Sequence, residues 1–182
     1  MESVLQLPAH TLTVDDLDAF PEGDGHRYEL YKGTLIVSSS PSRLHQLAAR
    51  NLIIELSRAC TPEFAVLPPL NVGSQVTNFE PDVVVIDRST FDVHQRFGLV
   101  PVLAIEVRSP STATIDRTLK RAAYAELGVP HYWMVDADSP SIVVLELFAS
   151  AYEEVVSGHG DVDVAIARPF PVTLNPARLT IL

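Results

Sequence analysis

The sequence predicts an α/β fold in a single domain, and three observations carry that reading. Apolar runs with the character of strands (Val83 to Ile86, Leu103 to Val107, His131 to Val135) alternate with segments whose apolar residues recur at helical spacing, from Pro41 to Cys60 and from Ile115 to Leu127. The final part then changes to short strand-like stretches, Ile142 to Phe148, Tyr152 to Val156 and Val162 to Ala167, which read as a β-meander. With 182 residues and 47% hydrophobic content, the chain can bury one proper core, and no repeat, low-complexity segment or linker divides it. The expected layout is one domain over residues 1–182, with a core over about 13–137 and a C-terminal β extension over 138–182.

Taken in order, residues 1–12 read as a loose lead-in, and Thr13 to Phe20 as a short helix capped by Thr13 with acids in its first turn. Arg27 to Tyr31 and Thr34 to Val37 form a hairpin around Lys32-Gly33. A long helix opens at Pro41-Ser42 and presents Ala48, Ala49, Leu52, Ile53, Leu56, Ala59 and Cys60 on one stripe, with His45 at its start. Phe64 to Leu67 and Leu70 to Gly73 read as short strands. Pro81 is tolerated at the mouth of the strand that follows it. Residues 88–100 form a polar connection in which His94 is expected to be exposed. After the strand ending at Arg108, Ser109-Pro110-Ser111 turns the chain, and a hydroxyl among Ser111, Thr112 and Thr114 can cap the next helix. Gly128 suits that helix's C-cap, and Pro130 stops it. The end, Pro169 to Leu182, reads as proline-punctuated and extended.

Composition narrows the partners. A formal charge of −10 argues against a protein that coats nucleic acid by charge alone, so any DNA contact must be local. The single cysteine, Cys60, excludes an internal disulfide and a cysteine-rich zinc site, and is expected to be inert packing. No apolar run is long enough to cross a membrane, and the start lacks the basic region of a secretion signal, which places the protein in the cytoplasm.

Two carboxylates stand out chemically. Glu106 lies inside an otherwise apolar strand, and a lone ionised group taken out of water is costly, so it must be paired with a cation, bound to a metal or protonated. Asp82 opens the preceding core strand, and an Asp at one strand mouth can converge with a Glu in the next. Two carboxylates plus a backbone carbonyl make an oxygen site suited to Mg²⁺ or Mn²⁺. Lys120 can reach back toward Glu106, although spacing slightly favours an Asp116–Lys120 surface pair. For Glu29 the pattern alone favours a solvated face near Arg27. His45 reads as a satisfied core histidine, and Arg43 and Arg50 as a solvated helix face.

Read together, Tyr28-Glu-Leu with Gly33, Pro41-Ser with His45, Pro81-Asp-Val-Val-Val, Glu106-Val with Ser109-Pro-Ser-Thr112, Asp116-Arg with Lys120, and Gly128-Val-Pro with Tyr132-Trp and Asp136 resemble the Uma-two family of putative restriction endonucleases, within the PD-(D/E)xK nuclease superfamily. The resemblance implies a restriction-endonuclease-like core, a mixed central β-sheet flanked by helices with a metal site at its edge. By matching positions it implies Asp82 and Glu106 as metal-binding carboxylates, with the backbone carbonyl of Val107 and Glu29 as further oxygen ligands for Mg²⁺ or Mn²⁺. The superfamily lysine, moved to the following helix, would be Lys120. His45 and Asp116 match recurrent positions as accessory residues.

The sequence departs from the family pattern at Thr34, where an acid is usual, and at Arg108, where an apolar residue is usual. Arg108 does not deprotonate in proteins and so is no base. It would clamp a scissile phosphate or else neutralise Glu106. The activity implied is metal-assisted hydrolysis of DNA phosphodiester bonds by an endodeoxyribonuclease. The alternative is a non-catalytic binding or regulatory module that retains the nuclease fold, with Glu106 and Arg108 as a buried ion pair. By analogy with superfamily nucleases that cut two strands, a homodimer through the meander edge is a further expectation.

Overall fold

The computed structural model describes residues 10–21, 23–108 and 116–182, apart from the side chains of Asp116 and Arg117. The expected turn and helix cap at Ser109 to Thr114 therefore lie outside the described residues, as does most of the N-terminal lead-in.

The chain opens with α1 (Val14–Leu17), where the Asp16 carboxylate accepts from both the N–H and the hydroxyl of Thr13 at 2.8 Å. The hairpin follows as β1 (His26–Tyr31) and β2 (Thr34–Ser39). Its two-residue turn puts Lys32 and Gly33 at φ 49° and 74°, the left-handed pair that matches strand twist. A Cβ on Gly33 would also lie 2.1 Å from Thr11 Cγ2. The long helix is α2 (Arg43–Ala59), started by the Ser42 hydroxyl accepting from the His45 N–H.

Next come β3 (Phe64–Leu67), β4 (Val72–Gly73), β5 (Asn78–Phe79), β6 (Val83–Asp87) and β7 (Leu103–Arg108). A π-helical turn at Asp116–Lys120 leads into α3 (Arg121–Glu126), which Gly128 ends at φ 78°. The chain then runs through β8 (His131–Asp136), β9 (Ser141–Phe148), β10 (Ala151–His159), β11 (Val164–Ile166) and β12 (Val172–Leu174).

Six strands form the central sheet in the order β10-β9-β8-β7-β6-β3. It is mixed, because β7 and β8 run parallel and the other neighbours are antiparallel. The parallel pair is the one whose connection passes through α3, as a parallel crossover requires. One face packs on α2 through Ala48, Ala49, Leu52 and Leu56 against Val83, Val85, Ile105 and Trp133. The other packs Val84, Ala104, Tyr132 and Met134 on α3 and on Phe79 of β5. β5 belongs to a second, four-stranded sheet, β2-β1-β5-β4, which brings the hairpin over the end of the central sheet.

Two expectations change at the C-terminus. β8, β9 and β10 form the meander, but β11 leaves the central sheet and pairs with β12. The tail is not wholly extended either, since Pro176–Thr180 forms a 3₁₀ helix capped by Asn175. The apolar residues Val164, Ile166, Leu174 and Leu179 of this unit close the α2-side core, which gives the reason for the fold-back. Cys60 is half-buried against that core, and burial pushes its thiol pKa up, as expected of an inert side chain. Among the described residues no helix is long and apolar enough to cross a membrane.

Leu52 is fully buried between α2 and the sheet. Leu52→Ala should lower unfolding free energy by about 2–5 kcal/mol, measurable as a reduced urea midpoint with an unchanged m-value.

Candidate active site

The register of β6 and β7 explains why two carboxylates meet. Val83 pairs with Ile105, so Asp82, one residue before β6, stands beside the Glu106 to Val107 segment of β7. There β6 has not yet begun, and the Val107 N–H donates to Asp82 Oδ2 at 2.8 Å in place of a ladder partner. Both carboxylates are 2% exposed. Alternation puts Glu106 on the face with Ala104, toward α3 and β1, while Ile105 and Val107 face α2.

Each carboxylate is charge-compensated by a different part of the chain. Lys120, at the end of the π-helical turn and 3% exposed, donates to Glu106 Oε1 and Glu29 Oε1, both at 2.9 Å. The Tyr124 hydroxyl, one turn further on, donates to the same Glu106 oxygen at 2.7 Å. Burial, then the charges of Glu106 and Glu29, raise the Tyr124 pKa well above its ordinary value, so the phenol stays a donor. The ammonium also sits 5.6 Å from the centroid of the Phe79 ring, a cation–π distance. Glu29 accepts the Glu80 N–H at 2.9 Å.

Asp82 is held from two sides. Arg27 of β1 places its two terminal nitrogens 3.2 and 3.1 Å from Oδ1, and His45 of α2 places Nε2 3.0 Å from Oδ2. Burial raises the Asp82 pKa, but the His45 hydrogen bond and charge, the Arg27 guanidinium and the Val107 N–H outweigh it and hold it below the ordinary value. Burial opposes the charge on Arg27 too, yet Asp82, Glu106, Glu29 and Glu80 raise its pKa overall. Glu80 is pushed up by burial and by Glu29 and Asp82, with Arg27 and Lys120 acting against the shift.

Three expectations need correction. Glu29 is not on a solvated face but 3% exposed, because the four-stranded sheet folds β1 over the end of β7. Lys120 is not on the surface but buried between Glu29 and Glu106; the side chain of Asp116, its other expected neighbour, lies outside the described residues. His45 is buried as expected but is bonded to Asp82 rather than being a mere core residue. Arg108 is half-buried and its ion pair is with Asp136, its register partner on β8, at 3.3 Å. Its charge is committed to the next strand, which argues against a Glu106–Arg108 pair. Arg43 and Arg50 are exposed, as is His94. Arg27, Tyr124 and Glu80 were missed as site residues. The signals were present: Arg27 precedes Glu29 by two on one strand, and Tyr124 follows Lys120 by four on one helix face.

The donor set fits a hard divalent cation. Glu29, Glu80, Asp82 and Glu106 face Arg27 and Lys120, an all-oxygen set with surplus negative charge, which suits Mg²⁺ or Mn²⁺ rather than a soft metal. Among the described residues, no three carboxylate, histidine or cysteine side chains already form a cage for an ion. Both principal carboxylates instead hold side-chain cations.

This fold is shared with the crystal structure of a putative nuclease of the DUF820 group from Anabaena variabilis, at a TM-score of 0.71 and 19% identity, covering 93% of this chain and 97% of that one. Residues 14–180 match the family Uma2, described as putative restriction endonuclease, and the chain belongs to that family. No curated protein matches it.

Lys120→Met should destabilise the protein by about 3–5 kcal/mol in chemical denaturation, because it strands two buried carboxylates. The lowered Asp82 pKa has a definite sign in pH. The group contributes stability above its ordinary value of 3.8 and loses it as pH falls through the lower folded value. Asp82→Asn should therefore flatten the acid limb of stability below that pH, as read by thermal unfolding across a pH series.

Proposed function

We propose that the protein is a divalent-metal-dependent endonuclease that hydrolyses phosphodiester bonds in DNA. The observation that carries this reading is the convergence of Glu29, Asp82 and Glu106 with Lys120 in one buried cluster built from separate elements. Asp82 and Glu106 would hold Mg²⁺ or Mn²⁺, with the Val107 carbonyl and Glu29 as the further oxygen donors. When bound, the ion supplies a water of lowered pKa and neutralises charge on the phosphate.

The remaining work falls to side chains. Lys120, a donor to two acids, would orient a water and stabilise charge developing on phosphate oxygen. His45 and the Val107 N–H fix the rotation of the Asp82 carboxylate. Tyr124 does the same for Glu106. Arg108 follows Glu106 by two residues and would grip a phosphate bidentately once the phosphate replaces Asp136. A homodimer across the open edge of β10, and a location in the cytoplasm, accompany this reading by analogy alone.

One observation favours a second reading, a non-catalytic module that keeps the fold. Arg27 and Lys120 already neutralise Asp82 and Glu106, so the cluster is a self-contained ion-pair network without metal. Mn²⁺ titration calorimetry separates the two. Binding to wild type that is lost in folded Glu106→Gln supports the nuclease, and no binding to wild type, with or without DNA, supports the module. In a plasmid-nicking assay with Mg²⁺ or Mn²⁺, Asp82→Asn and Glu106→Gln should each reduce cleavage on the order of a hundredfold or more. Wild-type rates in either variant would sink the assignment.

A further inference from the structure

We propose that Arg27 is an exchangeable counter-ion, which occupies Asp82 in the closed site, yields that oxygen to the divalent ion, and then binds the phosphate of the substrate. The inference rests on the nuclease reading above and adds a residue that the sequence pattern did not assign.

The two oxygens of Asp82 are held very differently. Oδ2 accepts the Val107 N–H at 2.8 Å and faces His45 Nε2 at 3.0 Å, so the end of β7 and the start of α2 pin it. Oδ1 is held by Arg27, a long side chain with rotatable bonds, through NH1 and NH2 at 3.2 and 3.1 Å. Both nitrogens converge on that one oxygen. This is not the parallel fork on two carboxylate oxygens that makes arginine pairs strong. The rest of the guanidinium is tied to Glu80, with NH1 donating to its carbonyl at 3.1 Å and Nε 3.5 Å from its carboxylate. Oδ1 is therefore the position of Asp82 that can change partners without moving the fold.

A divalent ion on Oδ1 would compete with the guanidinium, because the two Arg27 nitrogens already take both lone pairs of that oxygen, and the two positive charges would repel in a largely buried site. The ion also brings the charge that Arg27 had supplied to Asp82, which frees the guanidinium to meet another anion.

The surroundings show where it would go. Arg27 is the one described residue that lines both of two neighbouring clefts. A cleft of about 510 Å³ runs past Phe20, Tyr28, Pro41 and Glu80. A smaller one of about 240 Å³ lies between α2 and Pro68, and its polar lining includes His45, Arg50 and Asp82. With 19% of its side chain exposed, Arg27 already touches solvent at this junction. A nucleic-acid backbone entering there would present a phosphate to the freed fork, whose geometry suits bidentate contact. Metal and phosphodiester binding would then reinforce each other through one side chain, and linkage makes that effect reciprocal.

The test compares wild type with Arg27→Gln and Arg27→Lys, after circular dichroism and thermal unfolding establish that each is folded. Mn²⁺ affinity is measured by calorimetry. Affinity for a fluorescein-labelled DNA duplex is measured by anisotropy, in EDTA and in Ca²⁺. The expected result is Mn²⁺ binding about tenfold tighter in Arg27→Gln than in wild type, with Arg27→Lys between them because it keeps the charge and loses the fork. Ca²⁺ should tighten duplex binding by about tenfold in wild type and by far less in Arg27→Gln. Unchanged or weaker Mn²⁺ binding in Arg27→Gln, or a Ca²⁺ effect on DNA as large as in wild type, overturns the exchange while leaving the metal site standing. If wild type and both variants bind no Mn²⁺, or wild type binds no duplex in Ca²⁺, the exchange fails together with the nuclease reading.

Discussion

The Lys120 ammonium, wedged between Glu29 and Glu106, is the interaction on which the site depends. Two carboxylates and one ammonium share a volume that is only 2–3% exposed, where each compensates the burial cost of the others. The wedge also joins three units of the chain. β1 belongs to the four-stranded sheet, β7 to the central sheet, and Lys120 to the turn that leads into α3. Loss of the ammonium would remove one of the two electrostatic ties that hold the hairpin there, the other being Arg27 on Asp82.

Around that wedge the backbone sets the geometry. β6 starts two residues too late to cover Val107, and the freed N–H is satisfied by the Asp82 carboxylate. A single hydrogen bond thus takes over from the ladder and orients a candidate ligand. The parallel step from β7 to β8 requires a crossover, and that crossover is the segment that carries Lys120 and Tyr124 over Glu106. The cluster has more acids than cations, which is an unfavourable arrangement for stability alone. It would suit the divalent cation of the proposed function.

The fold was legible to a large degree because its signals are local. The hairpin turn at Lys32-Gly33, the stripe of α2, the apolar runs of β6 and β7 and the stop at Gly128 to Pro130 each depend on residues within a few positions of one another. The errors fell where a local signal was short or absent. β5 is two residues long, and β11, expected to continue the meander, pairs instead with β12, where Val164 and Ile166 help to close the α2-side core.

The sequence by itself determined the order and type of the main elements, the family, and the two principal carboxylates, Asp82 at the mouth of β6 and Glu106 within β7. Charged residues in apolar strands announce themselves through period and burial cost. Only the tertiary structure decided what meets them. Arg27 reaches Asp82 across 55 residues of chain and Lys120 reaches Glu29 across 91, and strand period tells which way a side chain points but not which element will cover that face. For the same reason Glu29 looked solvated and His45 looked like packing, and neither use weighed for Arg108, a phosphate clamp or a partner for Glu106, named Asp136 on the next strand, with which it pairs.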